Sequence, residues 1–353
     1  MSKKIPLDRY LFMPKVSLQP NKVTIYNEVL EIDYANEKLK PFSKNRTIKY
    51  DPITNEKIEF KKQYHNFVIS NAAQKKIKEK INWLYLLSKA RYTKTYSGVE
   101  IHNFKINFLT LTLPSSQKHP TSQITSECLN QFLTEMKQRT KMENYVWRLE
   151  FQENGNVHYH IVTDTYIDYF FARDVWNRII NKLGYVNEYQ EKFSKMTLNE
   201  YWINSQKYDS CTFDKCAKRY AKGKSENWTK PPSVDVKVCT SNKAIANYIS
   251  KYFGKQEANK TIKNSLDNEE NSFSLRLWFC SRSLSKLTSI VDYKEKIEIN
   301  WFDVIKGCNK VKEFVSDYAT CLFFEIRNMS NYVKSLLYPV FRNYANEMGY
   351  CSA

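Results

Sequence analysis

The segment NYVWRLEFQENGNVHYHIVTD, residues 144–164, restricts the possible folds more than any other part of the chain. Two strand-like runs flank Asn154-Gly155, a dipeptide that is typical of the turn in a β-hairpin. A hairpin requires antiparallel pairing of its two strands. Because no clean β-α-β repeat accompanies it, we predict an α+β fold in which helices pack against an antiparallel sheet.

Two of the five histidines of the chain lie in the second strand of this hairpin, one residue apart. Side chains two positions apart on a strand project from the same face, so His158 and His160 should lie side by side. Imidazole is a common ligand of divalent transition metals. The pair therefore predicts half of a metal site, whereas the alternative interpretation is two surface histidines in a solvated hairpin.

The length of the turn decides which residue of the first strand completes that site. A three-residue loop over 154–156 would place Glu150 opposite His160, whereas a two-residue loop would place Phe151 opposite His158. Only the longer loop brings a carboxylate to the side of the strands that carries His158 and His160, and its hard anionic oxygen suits Mg²⁺ or Mn²⁺. Glu150, His158 and His160 are thus the predicted metal ligands, with coordination positions left open for a substrate.

A second group of reactive side chains lies in SNKAIANYISKYFGK, residues 241–255, which the residue pattern predicts to be an amphipathic helix. Tyr248, Lys251, Tyr252 and Lys255 fall on one face of that helix. A tyrosine phenol can attack phosphorus when a neighbouring cation stabilises the negative charge that develops. These four residues form the predicted catalytic group, although an ordinary amphipathic helix with snorkelling lysines would show the same spacing.

The chain carries 55 Lys and Arg against 37 Asp and Glu, which is a formal net charge of +18. An excess of this size favours a polyanionic partner, and we expect the phosphate backbone of nucleic acid. A coding bias toward lysine is the simpler alternative. Cations interleaved with aromatic residues suit single-stranded DNA. The predicted DNA-binding residues are Lys215, Lys218, Arg219, Lys222, Lys224, Arg276 and Arg282.

Hydrophobic periodicity predicts the other elements of the fold. Helices are expected over about 70–91, 123–140 and 168–184, and strands over about 106–114 and 233–239. A basic, irregular insertion is expected over about 192–233. The last fifty residues are expected to be mostly helical.

The eight cysteines form no CxxC pair, which favours reduced, scattered thiols over a structural zinc site. No apolar run is long enough to cross a membrane, and the first residues lack the apolar region of a signal peptide. We therefore expect a protein of the cell interior that has no contact with membranes. The sequence GKS at 223–225 lacks the first glycine of a phosphate-binding loop, because Lys218 stands there, so no ATP site is predicted.

Three motifs, in this order, resemble those of the HUH endonuclease superfamily, in particular the rolling-circle replication initiators of small circular single-stranded DNA phages, viruses and plasmids. FLTLTLP (108–114) looks like the first-motif strand, HYH (158–160) like the histidine motif, and YISK (248–251) like the catalytic Tyr-x-x-Lys. Glu150 precedes the histidine motif like the acidic third ligand of related viral initiators. The segment LRLWFCSRSL looks like one that follows the tyrosine helix in phage initiators.

The resemblance covers about residues 70–290 and implies a five-stranded antiparallel sheet, with Mg²⁺ or Mn²⁺ on one face and the tyrosine helix beside it. The implied activity is that of a metal-dependent nickase and ligase. Tyr248 would cut single-stranded origin DNA, form a 5′-phosphotyrosine and leave a 3′-OH that primes replication. Some phage initiators alternate between two tyrosines, so Tyr252 is either a second nucleophile or a residue that only packs or binds DNA.

The resemblance divides the chain into an N-terminal extension of unknown role (1–68), an HUH endonuclease domain (69–290) and a mostly helical C-terminal extension (291–353). Origin or single-stranded DNA would be the partner, with a host helicase and polymerase, in the cytoplasm of a bacterial host. Two other functions stay open. A relaxase or single-tyrosine transposase shares the motif types, and a non-enzymatic DNA- or RNA-binding protein would use His158 and His160 only structurally.

Overall fold

Two main antiparallel sheets organise the described residues of the protein. A computed structural model describes residues 10–33, 38–41, 69–89, 91–94, 100–104, 106–206, 211–239, 276–294 and 299–350. The described residues group into two compact units, one formed from those between 64 and 285 and the other from those in 1–63 and 286–350.

The first unit is built on the predicted hairpin. Within the described residues, its five-stranded sheet has the order β10 (Trp278–Cys280), β7 (Tyr145–Phe151), β8 (Val157–Thr163), β6 (Ile106–Thr112) and β9 (Val234–Cys239), and all neighbouring strands are antiparallel. This confirms the predicted α+β fold. The strands of the unit are β4 (Arg91–Lys94) and β5 (Glu100–Phe104), which pair with each other, and β6 (Ile106–Thr112), β7 (Tyr145–Phe151), β8 (Val157–Thr163), β9 (Val234–Cys239) and β10 (Trp278–Cys280).

Three helical segments flank this sheet where the apolar periodicity predicts them, at about 70–91, 123–140 and 168–184. Ser70 caps the first helix by accepting a hydrogen bond from Ala73 N at 3.2 Å, as a serine at an N-cap should. Gly184, at φ +83°, ends the helical segment that follows the hairpin. The described helices of the unit are α1 (Asn71–Leu87), α2 (Thr121–Gln123), a π-helical stretch (Ile124–Leu129), α3 (Asn130–Arg139), α4 (Tyr169–Ile180), a 3₁₀ turn (Asn181–Leu183), α5 (Tyr185–Ser194), α6 (Leu198–Gln206), α7 (Phe213–Ser225) and α8 (Arg282–Lys286).

One face of the sheet packs into a large hydrophobic core. Leu149, Tyr159 and Ile161 alternate with the polar residues of the hairpin and are at most 3% exposed. Trp176 of α4 packs edge-on against Tyr159, with ring centroids 6.4 Å apart, and its indole N–H donates to Thr112 O at 2.8 Å. Trp176 also contacts Phe132 of α3, at 5.8 Å between ring centroids. The apolar alternation of the strands thus fixes which face the helices cover.

The expectation of an irregular insertion over 192–233 is wrong, because the described residues there are largely helical, in α6 and α7 and the end of α5. Trp228 is 5% exposed and is the centre of a small aromatic core. Its ring centroid lies 5.3 Å from that of Phe193 and 5.5 Å from those of Tyr201 and Tyr220. A Cβ at Gly223 would overlap the Trp228 ring. The glycine of the GKS sequence therefore serves close packing inside a helical subregion.

The structure joins Cys211 to Cys216 as a disulfide, with Cα atoms 6.6 Å apart. This contradicts the expectation of free thiols for that pair. The two residues flank the first turn of α7, where one helical turn brings them together, a proximity that the absence of a CxxC pattern did not reveal. Among the described cysteines, Cys128, Cys280, Cys308 and Cys321 are free.

The second unit contains residues from both ends of the chain. Its described strands form a six-stranded sheet with the order β11 (Ile290–Tyr293), β1 (Tyr10–Gln19), β2 (Lys22–Asp33), β13 (Ala319–Phe323) and β12 (Lys312–Val315), in which β3 (Lys38–Pro41) also pairs with β2. Helices are present in the C-terminal part, as predicted, but three strands accompany them that the sequence did not predict. The elements are β1 (Tyr10–Gln19), β2 (Lys22–Asp33), β3 (Lys38–Pro41), β11 (Ile290–Tyr293), α9 (Trp301–Lys306), β12 (Lys312–Val315), β13 (Ala319–Phe323), a 3₁₀ turn (Ile326–Asn328) and α10 (Asn331–Glu347).

No helix within the described ranges combines the length and the apolar character that crossing a membrane requires.

Candidate metal centre and nucleic-acid surface

The hairpin places Glu150 next to both histidines, but in a register that differs from the predicted one. Glu150 lies directly opposite His158, and Arg148 lies opposite His160. The prediction that Glu150 stands opposite His160 is therefore wrong by two residues.

The cause of the difference is a three-residue loop that begins one residue earlier than predicted, at Glu153. Gly155 N donates to Gln152 O at 2.9 Å and closes the turn, with Gly155 at φ +84°. Asn154 Oδ1 accepts a hydrogen bond from Asn156 N at 3.0 Å, which fixes the loop from within. Moving the loop by one residue changes the register by two, so every side chain stays on its predicted face.

On that face the three predicted ligands are neighbours. His160 Nε2 lies 2.9 Å from Glu150 Oε2, within hydrogen-bond distance. The rings of His158 and His160 are stacked, with centroids 4.5 Å apart and an angle of 26° between their planes. His160 is 1% exposed and His158 is half-buried. Two imidazoles and one carboxylate from adjacent strands thus form a single polar cluster. We call the side of the sheet that carries this cluster the histidine face.

Burial and mutual charge determine the protonation of the histidine face. Burial, reinforced by the neighbouring His160, lowers the pKa of His158 to about 4. Burial tends to raise the pKa of Glu150, but the hydrogen bond from His160 and the charges around it outweigh that effect and lower the pKa overall. At neutral pH, His158 is therefore a neutral imidazole with a lone pair, and Glu150 is an anion.

Three further residues of the histidine face were not predicted. Thr110 of β6 places its hydroxyl 3.3 Å from His160 Nδ1. Arg148 is 7% exposed, and burial lowers the pKa of its guanidinium. Asp235 of β9 stands opposite Thr110, and its charge acts to raise the pKa of His158. The alternation within β6, β7 and β9 could have indicated these residues, but only after the order of the strands was known.

The polar cluster of Glu150, His158 and His160 supplies the donor types that divalent cations bind. His158 Nε2 is buried and has no hydrogen-bond partner among the described residues, which is an unfavourable state for an imidazole nitrogen unless a ligand completes it. Two imidazoles and a carboxylate suit Mn²⁺ and, through the oxygen, Mg²⁺. Across the part of the chain that the structure describes, no three His, Cys, Asp or Glu side chains already stand in the arrangement of a metal centre. In the structure, Glu150 Oε2 contacts His160 Nε2 instead.

The predicted DNA-binding residues divide between one helix and two other positions. Lys215, Lys218, Arg219 and Lys222 of α7 lie on one face of that helix, at intervals of three and four residues. All four are exposed. We call this set the α7 basic stripe. Lys224 is also exposed but lies about 180° around the helix from Lys215.

The two arginines lie beyond α7 in the chain. The guanidinium carbon of Arg276 is 4.6 Å from the centre of the Phe279 ring, and Arg282 is exposed at the start of α8. The structure therefore brings four of the predicted DNA-binding residues together in the α7 basic stripe. The predicted catalytic group, which is Tyr248, Lys251, Tyr252 and Lys255, lies outside the described residues.

Comparison with known proteins points to replication. Residues 106–257 match the model of a family of replication-associated proteins. The match begins with β6, contains the histidine face and extends through the predicted tyrosine helix. No curated protein and no solved structure gives a significant match to the chain. The family match supports a role in DNA replication.

Proposed function

We propose that this chain is a rolling-circle replication initiator of the HUH type, which nicks and religates single-stranded origin DNA through a 5′-phosphotyrosine intermediate. The observation that carries the proposal is the histidine face. Glu150, His158 and His160 come from two adjacent strands, share one face of the sheet and lie in mutual contact. The family match over residues 106–257 supports the assignment to replication.

In the proposed reaction the Tyr248 oxygen attacks the scissile phosphorus, so that one O–P bond forms and the bond from phosphorus to the 3′ oxygen breaks. The phenol loses its proton and the departing 3′ oxygen gains one, which leaves a free 3′-OH for extension by a polymerase. The phosphodiester energy stays in the phosphotyrosine, so that resealing needs no ATP. Lys251 and Lys255 would stabilise the negative charge on the phosphorane-like transition state.

Glu150, His158 and His160 would hold Mg²⁺ or Mn²⁺, which supplies Lewis-acid polarisation of the phosphate when it is bound. The neutral His158 and the anionic Glu150 are in the protonation states that a metal ligand needs. The hydroxyl of Thr110 at Nδ1 of His160 would fix the orientation of that ring, as outer partners of metal-bound histidines do.

The α7 basic stripe would hold the phosphate backbone of the DNA, because its four exposed cations follow one line along the helix. Tyr252 is proposed as a second nucleophile that acts after Tyr248. If Tyr252→Phe leaves both cleavage and strand termination intact, Tyr252 has no such role. Unwinding of the duplex would fall to a host helicase, since no ATP site is predicted in this chain.

The test of the proposal is a covalent protein–DNA adduct. A pool of randomised single-stranded oligonucleotides, labelled at the 3′ end, is incubated with the chain and Mn²⁺ and separated under denaturing conditions. The label should move to the mass of the protein, because the fragment that carries the 5′ phosphate stays on the tyrosine. Tyr248→Phe should abolish the adduct, and Tyr332→Phe, at a residue that is 72% exposed in α10, should not.

The alternatives give different results in two experiments. Binding of many sequences without any adduct would favour a non-enzymatic DNA- or RNA-binding protein. In a second experiment, on a circular duplex that carries the cleaved sequence and in a host-cell extract, extension of the free 3′-OH would favour a replication initiator, whereas an adduct without extension would favour a relaxase or a transposase.

A further inference from the structure

A cavity of about 510 Å³ opens on the face of the sheet opposite the histidine face. Tyr145 and Trp147 of β7 line it, and these residues alternate along the strand with Arg148 and Glu150. The nicking reaction uses none of the residues that line this cavity. Its volume is within the range of small-ligand sites.

One wall of the cavity is aromatic and cationic. Phe279 of β10 is paired in register with Trp147, and 37% of Phe279 remains exposed although Trp147 is only 3% exposed. The guanidinium of Arg276 lies over the Phe279 ring at 4.6 Å. A flat exposed ring with a cation beside it is the combination that proteins use to stack a base and to neutralise its phosphate.

The other wall is polar and comes from the helical segment before β7. Gln123, Glu127 and Asn130 project from the π-helical stretch and its ends, and Gln123 Nε2 donates to Glu127 Oε2 at 3.2 Å. π-helical turns are rare and are frequent at functional sites. Amide and carboxylate groups offer both donors and acceptors, which is what the edge of a nucleobase requires.

The position of β10 links this cavity to the histidine face. β10 is an edge strand of the five-stranded sheet as described. Phe279 is opposite Trp147 on the cavity side, and the preceding residue, Trp278, is opposite Arg148 on the histidine side. A DNA strand that crosses this edge passes from one site to the other.

The geometry points to a binding site for one unstacked nucleobase of single-stranded DNA, with the base stacked on Phe279 and its phosphate on Arg276. This inference rests on the proposed function, since it assumes that single-stranded DNA is the substrate. A free nucleotide has the same chemistry and is the other possible source of the base. The site would bind the DNA strand at a point distant from the scissile phosphate. It would therefore contribute to affinity without taking part in the reaction.

The test measures the affinity of the full chain for a fluorescent single-stranded oligonucleotide by anisotropy. Phe279→Ala should weaken binding about ten-fold, as expected for the loss of one stacked base. Phe314→Ala removes a ring that is 60% exposed on β12 and should leave affinity unchanged. Phe279→Leu keeps an apolar side chain at the edge strand and should also weaken binding, so that an effect of Phe279→Ala on folding does not decide the result.

Arg276 has a matched control as well. Arg342 also lies over an aromatic ring, with its guanidinium carbon 5.9 Å from the centre of the Tyr338 ring, but it belongs to α10 and does not line the cavity. Arg276→Ala should weaken oligonucleotide binding several-fold and reduce its salt dependence, whereas Arg342→Ala should do neither.

Three results would overturn the inference. Unchanged affinity in both Phe279 variants, with a normal covalent adduct, removes the base site and leaves the proposed function standing. Equal loss in the Phe314 control shows that the effect is not specific to the cavity. A free deoxynucleoside monophosphate could displace the fluorescent oligonucleotide at the same concentration as the unlabelled oligonucleotide does. That result would assign the site to a free nucleotide. Conversely, weakened binding in the Phe279 variants without any adduct from the unmodified chain would keep the base site and remove the nicking reaction.

Discussion

Toward the turn, the two faces of the β7–β8 hairpin carry side chains of different chemistry although they share the same backbone. Leu149, Tyr159 and Ile161 point into the core, while Glu150, His158 and His160 point the other way. Strand geometry separates the two sets at every residue. One hairpin therefore contributes apolar side chains to the core from one face and presents reactive groups on the other, so changes at these two sets of residues should have different consequences.

The largest expected effect is on the core face. Ile161→Ala removes a side chain that is 1% exposed and should lower the free energy of unfolding by about 3 kcal/mol, because it leaves a cavity in a packed core. Ile203→Ala, at a residue of α6 that is 56% exposed, is the matched control and should change stability by less than about 0.5 kcal/mol. Urea denaturation measures both. Adduct formation per folded molecule should be unaffected by either variant.

The next effect belongs to the histidine face. Glu150→Gln keeps the shape of the side chain and removes its charge, and it should slow adduct formation in Mn²⁺ on the order of 100-fold, with little loss of stability. Glu153→Gln makes the same change three residues along, in the exposed turn, and should leave the rate unaltered. The rate of label transfer to the protein measures the difference. Equal rates in the two variants would remove Glu150 from the site.

The turn joins the two strands of the hairpin, and a substitution in it should change the free energy of unfolding less than the core substitution does. Gly155 has φ +84° and no heavy atom within 4 Å of a Cβ placed on it, so an alanine there would meet backbone strain but no clash. Gly155→Ala should lower the free energy of unfolding by about 1 kcal/mol, and Gly155→Asn by less, because asparagine tolerates this conformation better. Urea denaturation of the two variants measures the difference. A stabilised alanine variant would contradict the observed turn.

The effect that is smallest near neutral pH is a pH dependence on the core side, because it develops only at alkaline pH. Burial raises the pKa of Cys128 from 9.0 to about 11. The folded state therefore keeps this thiol protonated where the unfolded state ionises it, so its contribution to stability is present below pH 9 and is lost as the pH rises toward 11. The fall in the urea midpoint over that interval should be shallower in Cys128→Ala. Identical slopes would show that Cys128 is not in a dry core.

Much of the fold was predictable because the local patterns were strong. Asn154-Gly155 and the alternation around it predicted the hairpin, and the Ser70 cap and apolar spacing predicted α1. The register was wrong because dipeptide preference does not decide which residue begins a three-residue loop. The face was still right, because the error was an even number of residues.

The features of the fold and of the site that were not predicted depend on contacts between residues that are distant in the sequence. The helices around Trp228 were missed because their aromatic core forms only when α5, α6 and α7 come together. Likewise, Thr110 and Asp235 belong to the histidine face through strand order, which no single segment reveals. The proximity of Glu150, His158 and His160 could be predicted because all three lie within one hairpin.

The most direct test of the account is the binding of Mn²⁺ to the histidine face, measured by isothermal titration calorimetry on the full chain. The unmodified chain and the Glu153→Gln control should each bind one Mn²⁺ with the same affinity. His158→Ala, which removes the buried Nε2 that has no hydrogen-bond partner among the described residues, should bind it at least about ten-fold more weakly. Equal affinity in all three proteins would contradict the assignment of the metal to this face.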